Sequence, residues 1–242
     1  MFSTIWHTFF FDPVYNGLVF FVDVVPGGDV GVAIILTTIV VKVVLLPLSI
    51  KAAKTQVVMR EIEPKLKALK EKITDKQEQA RAMMELYKES GVNPFASIFQ
   101  LFLQIPIIIA LYLSVYSGGG VALPDINTSL LYGFVPTPET ISMMFLGMVD
   151  IAARSLPLAV LAGLTQFFHA QLSIPKPEPR KEGEAVSLKN DFARSMQTQM
   201  RYVMPVLIFV VAYTISASIA LYFTVSNLAA IAQELYIKKH RR

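Results

Sequence analysis

Residues 37–48 read TTIVVKVVLLPL and place one lysine, Lys42, inside an otherwise apolar run. The run belongs to a longer stretch, Val32–Ile50, that has about the length a helix needs to cross the hydrocarbon core of a bilayer, roughly 20 residues. The chain as a whole is 54% hydrophobic and only 17% charged over 242 residues, which is typical of an integral membrane protein. Placing a lysine deep in a membrane costs about 2.5–3.5 kcal/mol. Something must therefore solvate the Lys42 ammonium group.

Three further stretches are apolar and long enough to cross a bilayer: Phe95–Tyr116, Leu156–Leu172 and Tyr202–Ile237. The last has 36 residues and would be about 54 Å long as one helix. That length is too great for one crossing. We predict two crossings here, joined by a tight turn near Ser216–Ser218.

The basic residues predict the orientation of these spans. Of the 22 Lys and Arg residues, 10 lie in residues 51–92, 6 in 174–201 and 4 in 238–242. Because Lys and Arg concentrate in cytoplasmic loops, these three segments are predicted to be cytoplasmic, with residues 117–155 and the N-terminus outside. Both ends of the 36-residue stretch then lie inside, which requires an even number of crossings. The predicted fold is an all-α, polytopic membrane protein with five transmembrane helices and a cytoplasmic C-terminus.

Residues 1–27 are predicted to be an outer interfacial segment that precedes the five-helix core, residues 28–242. They contain no Lys or Arg and so lack the charged beginning of a secretory signal peptide. Asp12 and Pro13 are predicted to open a short aromatic helix, Val14–Val25, along the outer membrane interface. An additional crossing is the alternative.

Residues 51–92 are charged but keep helical periodicity, which predicts a cytoplasmic helical hairpin. Pro64 fits the first turn of one helix, and Thr74 with Gln77 fits a capping box that opens the other. The hairpin is longer than an orientation signal needs, so we predict a docking surface for a ribosome, a targeting receptor or lipid headgroups. The alternative is a solvated loop that only orients the chain. The second cytoplasmic loop, 174–201, carries three closely spaced prolines and is predicted to be a flexible linker.

Lys42 has no counter-ion at matching depth in the sequence. No Asp or Glu falls in the first four spans, and the fifth contains only Glu234, near its cytoplasmic end. On one straight helix Lys42 would lie about 13.5 Å before Lys51, close to the middle of the bilayer. Snorkelling of the side chain to the headgroups is one alternative. We instead predict a polar, water-containing cavity within the helix bundle.

Polar residues able to line such a cavity occur in the other spans, from mid-membrane towards the cytoplasm. Taken singly, each is more often an interhelical hydrogen bond than part of a site. Taken together, they predict a groove that is open to the cytosol and closed on the outside. They are Thr38, Ser97, Gln100, Gln104, Gln166, His169, Ser226, Asn227 and Gln233.

The sequence offers no pattern for covalent chemistry. It has no phosphate-binding loop, no H-E-x-x-H motif, no paired carboxylates within a span and no cysteine. We therefore predict a binding surface rather than an enzyme, with no cofactor and no metal. The basic residues are accounted for by membrane orientation, so no nucleic-acid recognition is expected.

Four segments resemble the YidC/Oxa/Alb family of membrane protein insertases. They are VVKVVLLPLSIKA at 40–52, EPKLKALKEK at 63–72, ELYKESGVNPFASIFQLFLQIPIIIALY at 85–112 and LYFTVSNLAAIAQ at 221–233. The resemblance covers about Gly31 to Leu235. It is to the compact bacterial form of the family, without a large outer domain.

The resemblance implies five core helices, a cytoplasmic hairpin and a hydrophilic groove with one positive charge. Lys42 matches a position that is arginine in most bacterial members, and lysine keeps the charge but lacks the bidentate fork of the guanidinium group. Tyr222 and Phe223 match the family's substrate-contacting tyrosine pair. The implied setting is the bacterial inner membrane, and the implied partners are nascent membrane proteins, lipid, the ribosome, the signal recognition particle receptor and the Sec translocon. The alternative function is a small secondary transporter or channel in which Lys42 binds an anionic solute, although the sequence has no inverted repeat.

Overall fold

The computed structural model describes residues 2–91, 93, 96–117, 120–174 and 195–239. This part of the chain is mostly helical and contains one small antiparallel sheet. The helices are α1 (Phe2–Trp6), α2 (Asp12–Val24), α3 (Val30–Val44), α4 (Leu46–Glu61), α5 (Glu63–Lys72), α6 (Lys76–Glu89), α7 (Ala96–Tyr116), α8 (Leu156–Ser173), α9 (Met204–Ile215) and α10 (Ala217–Lys239), and the strands are β1 (Met144–Phe145) and β2 (Val149–Asp150).

The structure divides into two compact units. One consists of residues 1–43 and 107–242, and the other of residues 44–106. By length and composition, the helical run Ser195–Ile215 is able to cross a membrane, and Val30–Val44 with Leu46–Met59 adds a second crossing if this broken pair counts as one span. The count of five crossings stays a prediction.

The predicted first span is not one continuous helix. α3 ends at Val44, the chain turns at Leu45, and α4 begins at Leu46. Pro47 explains the break, because it lacks the N–H that would bond the carbonyl four residues earlier and its ring clashes with that carbonyl. Proline is instead well accommodated in the first turn of a new helix. The 13.5 Å depth of Lys42, which assumed a straight helix through this point, is therefore wrong.

The N-terminal helix begins earlier than predicted. α1 continues through a π-helical turn, His7–Phe11, directly into α2. Asp12 has helical backbone angles and does not cap the helix; its carboxylate contacts His7 Nδ1 at 2.8 Å. The wider π turn lies just before Pro13, where an α-helical hydrogen bond would have no donor. The predicted end is nearly right, because α2 stops at Val24 and Val25 is extended ahead of a proline.

The first unit is built around one main apolar core. α2, α3, α7, α10 and the segment 120–155 all contribute to it, and its largest fully buried side chains include Tyr15, Leu18, Ile34 and Tyr222. α8 packs against both α9 and α10. At Gly163 on α8 an added Cβ would lie 3.0 Å from Cβ of Phe209. The missing side chain therefore lets two helix backbones approach closely, as small residues do in membrane helix packing.

The predicted break in the last apolar stretch is confirmed. Ser216 is extended between α9 and α10, and its hydroxyl lies 2.7 Å from that of Ser218. The first amides of α10 have no acceptor within their own helix, and the segment before α8 supplies it. Ala217 N donates to Ala153 O at 2.8 Å, and Ser218 N donates to Ile151 O at 3.1 Å.

The segment 120–155 contains a β-hairpin that the sequence did not predict. Met144 pairs with Asp150 and Phe145 with Val149, in antiparallel register. Strands of two residues are too short to show the alternation that identifies a strand. The hairpin lies between α7 and α8 in the chain.

In the second unit, α5 and α6 contact each other. Pro64 lies in the first turn of α5, as predicted. The predicted capping box at Thr74 is wrong: Asp75 caps α6, and its Oδ1 accepts from Gln77 N at 2.7 Å and from Glu78 N at 2.9 Å. A carboxylate at this position accepts two amides and also interacts favourably with the helix dipole. Gln79 Nε2 then donates to two carbonyls at the end of α5.

Candidate functional site

Lys42 lies half-buried in the last turn of α3. Within the described ranges, no carboxylate forms an ion pair with it. The ion pairs found there join His7 to Asp12, Lys67 to Glu63 and Lys238 to Glu234. Glu234, the acid of the last predicted span, is therefore 3.9 Å from another lysine.

Thr38, one turn before Lys42, is buried and points its hydroxyl at its own helix. Its Oγ1 donates to Ile34 O at 2.7 Å, and Thr37 Oγ1 donates to Ala33 O at 2.8 Å. Such bonds satisfy a threonine donor locally and leave its oxygen able to accept one more hydrogen bond. Thr38 is thus compatible with a polar site but does not need one.

A titratable neighbour of Lys42 lies on α8. His169 is half-buried and close enough to Lys42 for their charges to interact. Thr165 lies one turn earlier on the same helix face. These residues extend the environment of Lys42 from α3 onto α8.

A hydrogen bond extends the same polar set to α10. Asn227 Nδ2 donates to Thr165 Oγ1 at 3.4 Å, and both side chains are buried. Thr165 Oγ1 in turn donates to the backbone at Leu161 O and Ala162 O. We call Lys42, His169, Thr165 and Asn227 the polar line. It joins three helices, α3, α8 and α10, within the first unit.

A second feature is a small recess with room for about one water molecule. Two predicted residues line it, Thr38 and Tyr222, and the rest of its wall is mainly apolar. Lys42 is not part of this wall. The lining residues are Val14, Thr37, Thr38, Val41, Ile107, Leu111 and Tyr222.

The aromatic pair on α10 has one fully buried member. Tyr222 is 2% exposed and hydrogen-bonds Ser226 through its side chain. Phe223 is half-buried, and the two ring centres are 5.6 Å apart with an angle of 68° between the planes. Tyr222 faces the recess, while Phe223 packs between the main core and the small cluster joining α8, α9 and α10.

The remaining predicted site residues are described one by one. Gln166 is half-buried on α8 next to Thr165, and Gln104 is half-buried on α7 in the second unit. The side chains of Ser97 and Gln100 lie outside the described residues. A single groove containing all nine predicted residues therefore stays a prediction. Thr165 was missed, although its spacing of four from His169 puts both on one helix face.

Comparison with known proteins gives a consistent picture. The family model described as "60Kd inner membrane protein" matches residues 20–242. The membrane protein insertase YidC of Oceanobacillus iheyensis is 31% identical, over 97% of this chain and 84% of that protein. The insertase YidC of Clostridium tetani is 30% identical, over 88% of this chain and 84% of that protein. In the insertase YidC of Methylobacillus flagellatus the 31% identical region covers 86% of this chain but only 32% of the relative.

A solved structure has the same fold. It is described as the active YidC insertase crystal structure with the first transmembrane domain resolved, and it matches with a TM-score of 0.52 at 22% identity. The match covers 92% of this chain and 45% of that chain. Together with the family model and the relatives, it leads to one conclusion: the chain belongs to the YidC/Oxa/Alb family of membrane protein insertases.

Proposed function

We propose that the polar line is the surface on which this insertase receives the hydrophilic tail of a client membrane protein. The observation that carries the proposal is Lys42, a cation in an apolar helix with no carboxylate paired to it in the described part of the chain. A cation left without an internal partner is available to an acidic or polar group of a client. Thr165 and Asn227 add buried polar groups behind it.

The Lys42 charge lowers the energy of the client's tail and not that of its hydrophobic segment. A charged side chain at the centre of a bilayer costs about 2.5–3.5 kcal/mol. A cation 4 Å from a carboxylate gains about 4 kcal/mol at an effective dielectric constant of 20. One lysine can therefore offset much of the cost of one acidic residue. The membrane potential adds about 2.3 kcal/mol per charge per 100 mV.

We further propose the topology that this role requires: five crossings in the bacterial inner membrane, with the N-terminus outside and the C-terminus in the cytoplasm. The chain acts without covalent catalysis and releases the client helix into lipid. Residues 51–92, which include α5 and α6, form the cytoplasmic hairpin. Their charge and length support contacts with the ribosome, the signal recognition particle receptor or the Sec translocon.

The test is insertion by variants of Lys42 reconstituted in sealed vesicles, read out by protease protection of a simple client. Lys42→Ala should slow the insertion of acidic tails at least about fivefold, which corresponds to about 1 kcal/mol of lost attraction. Lys42→Arg should keep activity, and Lys42→Glu should reverse the preference towards basic tails. Val43→Ala, which alters the exposed neighbouring residue, is the matched control.

Normal insertion of acidic tails by Lys42→Ala would reject the role of the charge. Equal loss with acidic, neutral and basic tails would reject it as well, because electrostatic attraction must discriminate between them. The transporter alternative is not favoured, since the relatives described above are named insertases.

A further inference from the structure

The tip of the β-hairpin exposes large apolar side chains. Met144, Leu146 and Met148 are 42%, 60% and 75% exposed. Residues 140–149, TISMMFLGMV, contain no charged residue, although Glu139 and Asp150 flank them directly. Three exposed apolar side chains within ten uncharged residues form a contiguous apolar patch, unlike single exposed apolar residues on a protein surface.

The hairpin is fixed to the beginning of α3. Asp29 Oδ2 accepts from Leu146 N at 2.7 Å, and Asp29 Oδ1 accepts from Val32 N at 3.0 Å, so one carboxylate holds both the hairpin turn and the first turn of α3. On either side of Asp29, Val30 N donates to Ser142 O at 3.0 Å and Ser142 N donates to the Gly28 carbonyl at 2.8 Å. The exposed tip thus lies at the level where α3 begins.

The two faces of the hairpin differ. Phe145 and Val149 pack against the main core. A Cβ on Gly31 would overlap the side chain of Phe145, so the hairpin lies directly on the α3 backbone. The residues that alternate with this inner pair, Leu146 and Met148, point away from the core. Because the inner face of the hairpin is packed against the core, its outward side chains are held in the exposed position.

The opposite end of α3 also exposes large apolar side chains. Its exposed residues include Ile39, Val40, Val43 and Val44, which in a membrane protein are covered by lipid. Transfer of a large apolar side chain from water to an apolar environment is favourable. We propose that the hairpin tip, Met144 to Met148, inserts into the outer leaflet of the bilayer and anchors the outer end of α3 there. The proposal rests on the orientation proposed above, with the beginning of α3 outside, and not on the way in which Lys42 acts on a client.

The anchor has a consequence for Lys42. Lys42 lies 13 residues after Asp29, about 20 Å along α3. In a hydrocarbon core about 30 Å thick, a helix anchored at Asp29 on the outer surface places Lys42 in the cytosolic half. The hairpin thereby sets the depth of the cation.

The test uses tryptophan fluorescence, because the chain has a single tryptophan, Trp6. In a Trp6→Phe background, Met148→Trp is compared with Glu139→Trp, an exposed position just before the uncharged stretch. Both proteins are reconstituted in phosphatidylcholine and phosphatidylglycerol vesicles. The lipids carry bromine, a quencher, either near the headgroup or near the chain end. We expect Met148→Trp to emit at shorter wavelength than Glu139→Trp. Bromine near the headgroup should quench Met148→Trp more strongly than it quenches Glu139→Trp.

Emission and quenching equal to those of Glu139→Trp would overturn the proposal. A blue shift with no quenching by bromine would also overturn it, if the shift is lost when the protein is diluted among more vesicles. In that case a second copy of the protein, and not lipid, covers the tip. Leu146→Trp provides an independent second reporter if Met148→Trp does not fold. Each variant must unfold at the same temperature as the Trp6→Phe protein before its spectrum is compared.

Discussion

Replacing Asp29 tests how the outer end of α3 is held. Asp29→Ala removes the hydrogen bond that caps α3 at Val32 N and the one that holds the hairpin turn at Leu146 N. Loss of a helix cap costs about 1 kcal/mol, and loss of a hydrogen bond to a charged group about 1.5–3 kcal/mol. We therefore expect Asp29→Ala to lower the free energy of unfolding by about 2.5–4 kcal/mol. Asp29→Asn should have a smaller effect, because its amide keeps one acceptor oxygen.

The assay is denaturant unfolding in detergent, combined with hydrogen exchange at the amides of Val32 and Leu146. Both amides should exchange faster in Asp29→Ala. Asp23→Ala is the matched control, since Asp23 is an exposed aspartate on α2. The reasoning is refuted if Asp29→Ala unfolds like Asp23→Ala, or if the exchange of both amides is unchanged.

Three further expectations concern packing, polar contacts and pH. Gly31→Ala should displace Phe145 and expose the hairpin to proteases, because the added Cβ overlaps the ring. In a double-mutant cycle, Asn227→Ala and Thr165→Val should couple by about 0.6 kcal/mol in unfolding free energy, the average for polar contacts between membrane helices. Burial raises the pKa of the Tyr15 phenol above its ordinary value of 10.0. The neutral phenol thus stabilises the fold below pH 10, and this contribution should fall as pH rises through the raised pKa. Ultraviolet absorbance during alkaline titration measures the ionisation of the phenol.

Each expectation has a contradicting outcome. Gly133→Ala adds a methyl group where nothing lies within 4 Å, so equal protease sensitivity in this variant and Gly31→Ala would exclude the overlap as the cause. Additive effects of Asn227→Ala and Thr165→Val would exclude a direct contact. Ionisation of Tyr15 at its ordinary pKa in the folded protein would contradict its burial.

The two helix breaks were not equally visible in the sequence. The break at Ser216 could be predicted, because a 36-residue apolar stretch with basic residues at both ends needs two crossings. The break at Leu45 was missed because length and apolar composition outweighed Pro47, although a proline within a helix interior is a strong stop signal. The same proline moves Lys42 from the middle of an assumed helix to the last turn of α3.

The site was predictable only in part, for a similar physical reason. The unpaired cation can be found from the sequence, since it needs only a count of acids in the spans. The partner of Asn227 cannot, because Thr165 is 62 positions away in the chain and joins it only when α8 and α10 pack. The hairpin on α3 depends on Gly31, whose missing side chain has meaning only once Phe145 lies over it.

The most direct measurement of the central claim is the aqueous accessibility of position 42. The chain contains no cysteine, so Lys42→Cys introduces a single thiol, and Val43→Cys provides an exposed apolar neighbour on the same helix. A charged, membrane-impermeant maleimide is added separately to each side of sealed membranes. The account predicts labelling of the Lys42→Cys thiol from the cytosolic side only and little labelling of Val43→Cys. A Lys42→Cys thiol that reacts from neither side, or no faster than Val43→Cys, would contradict it.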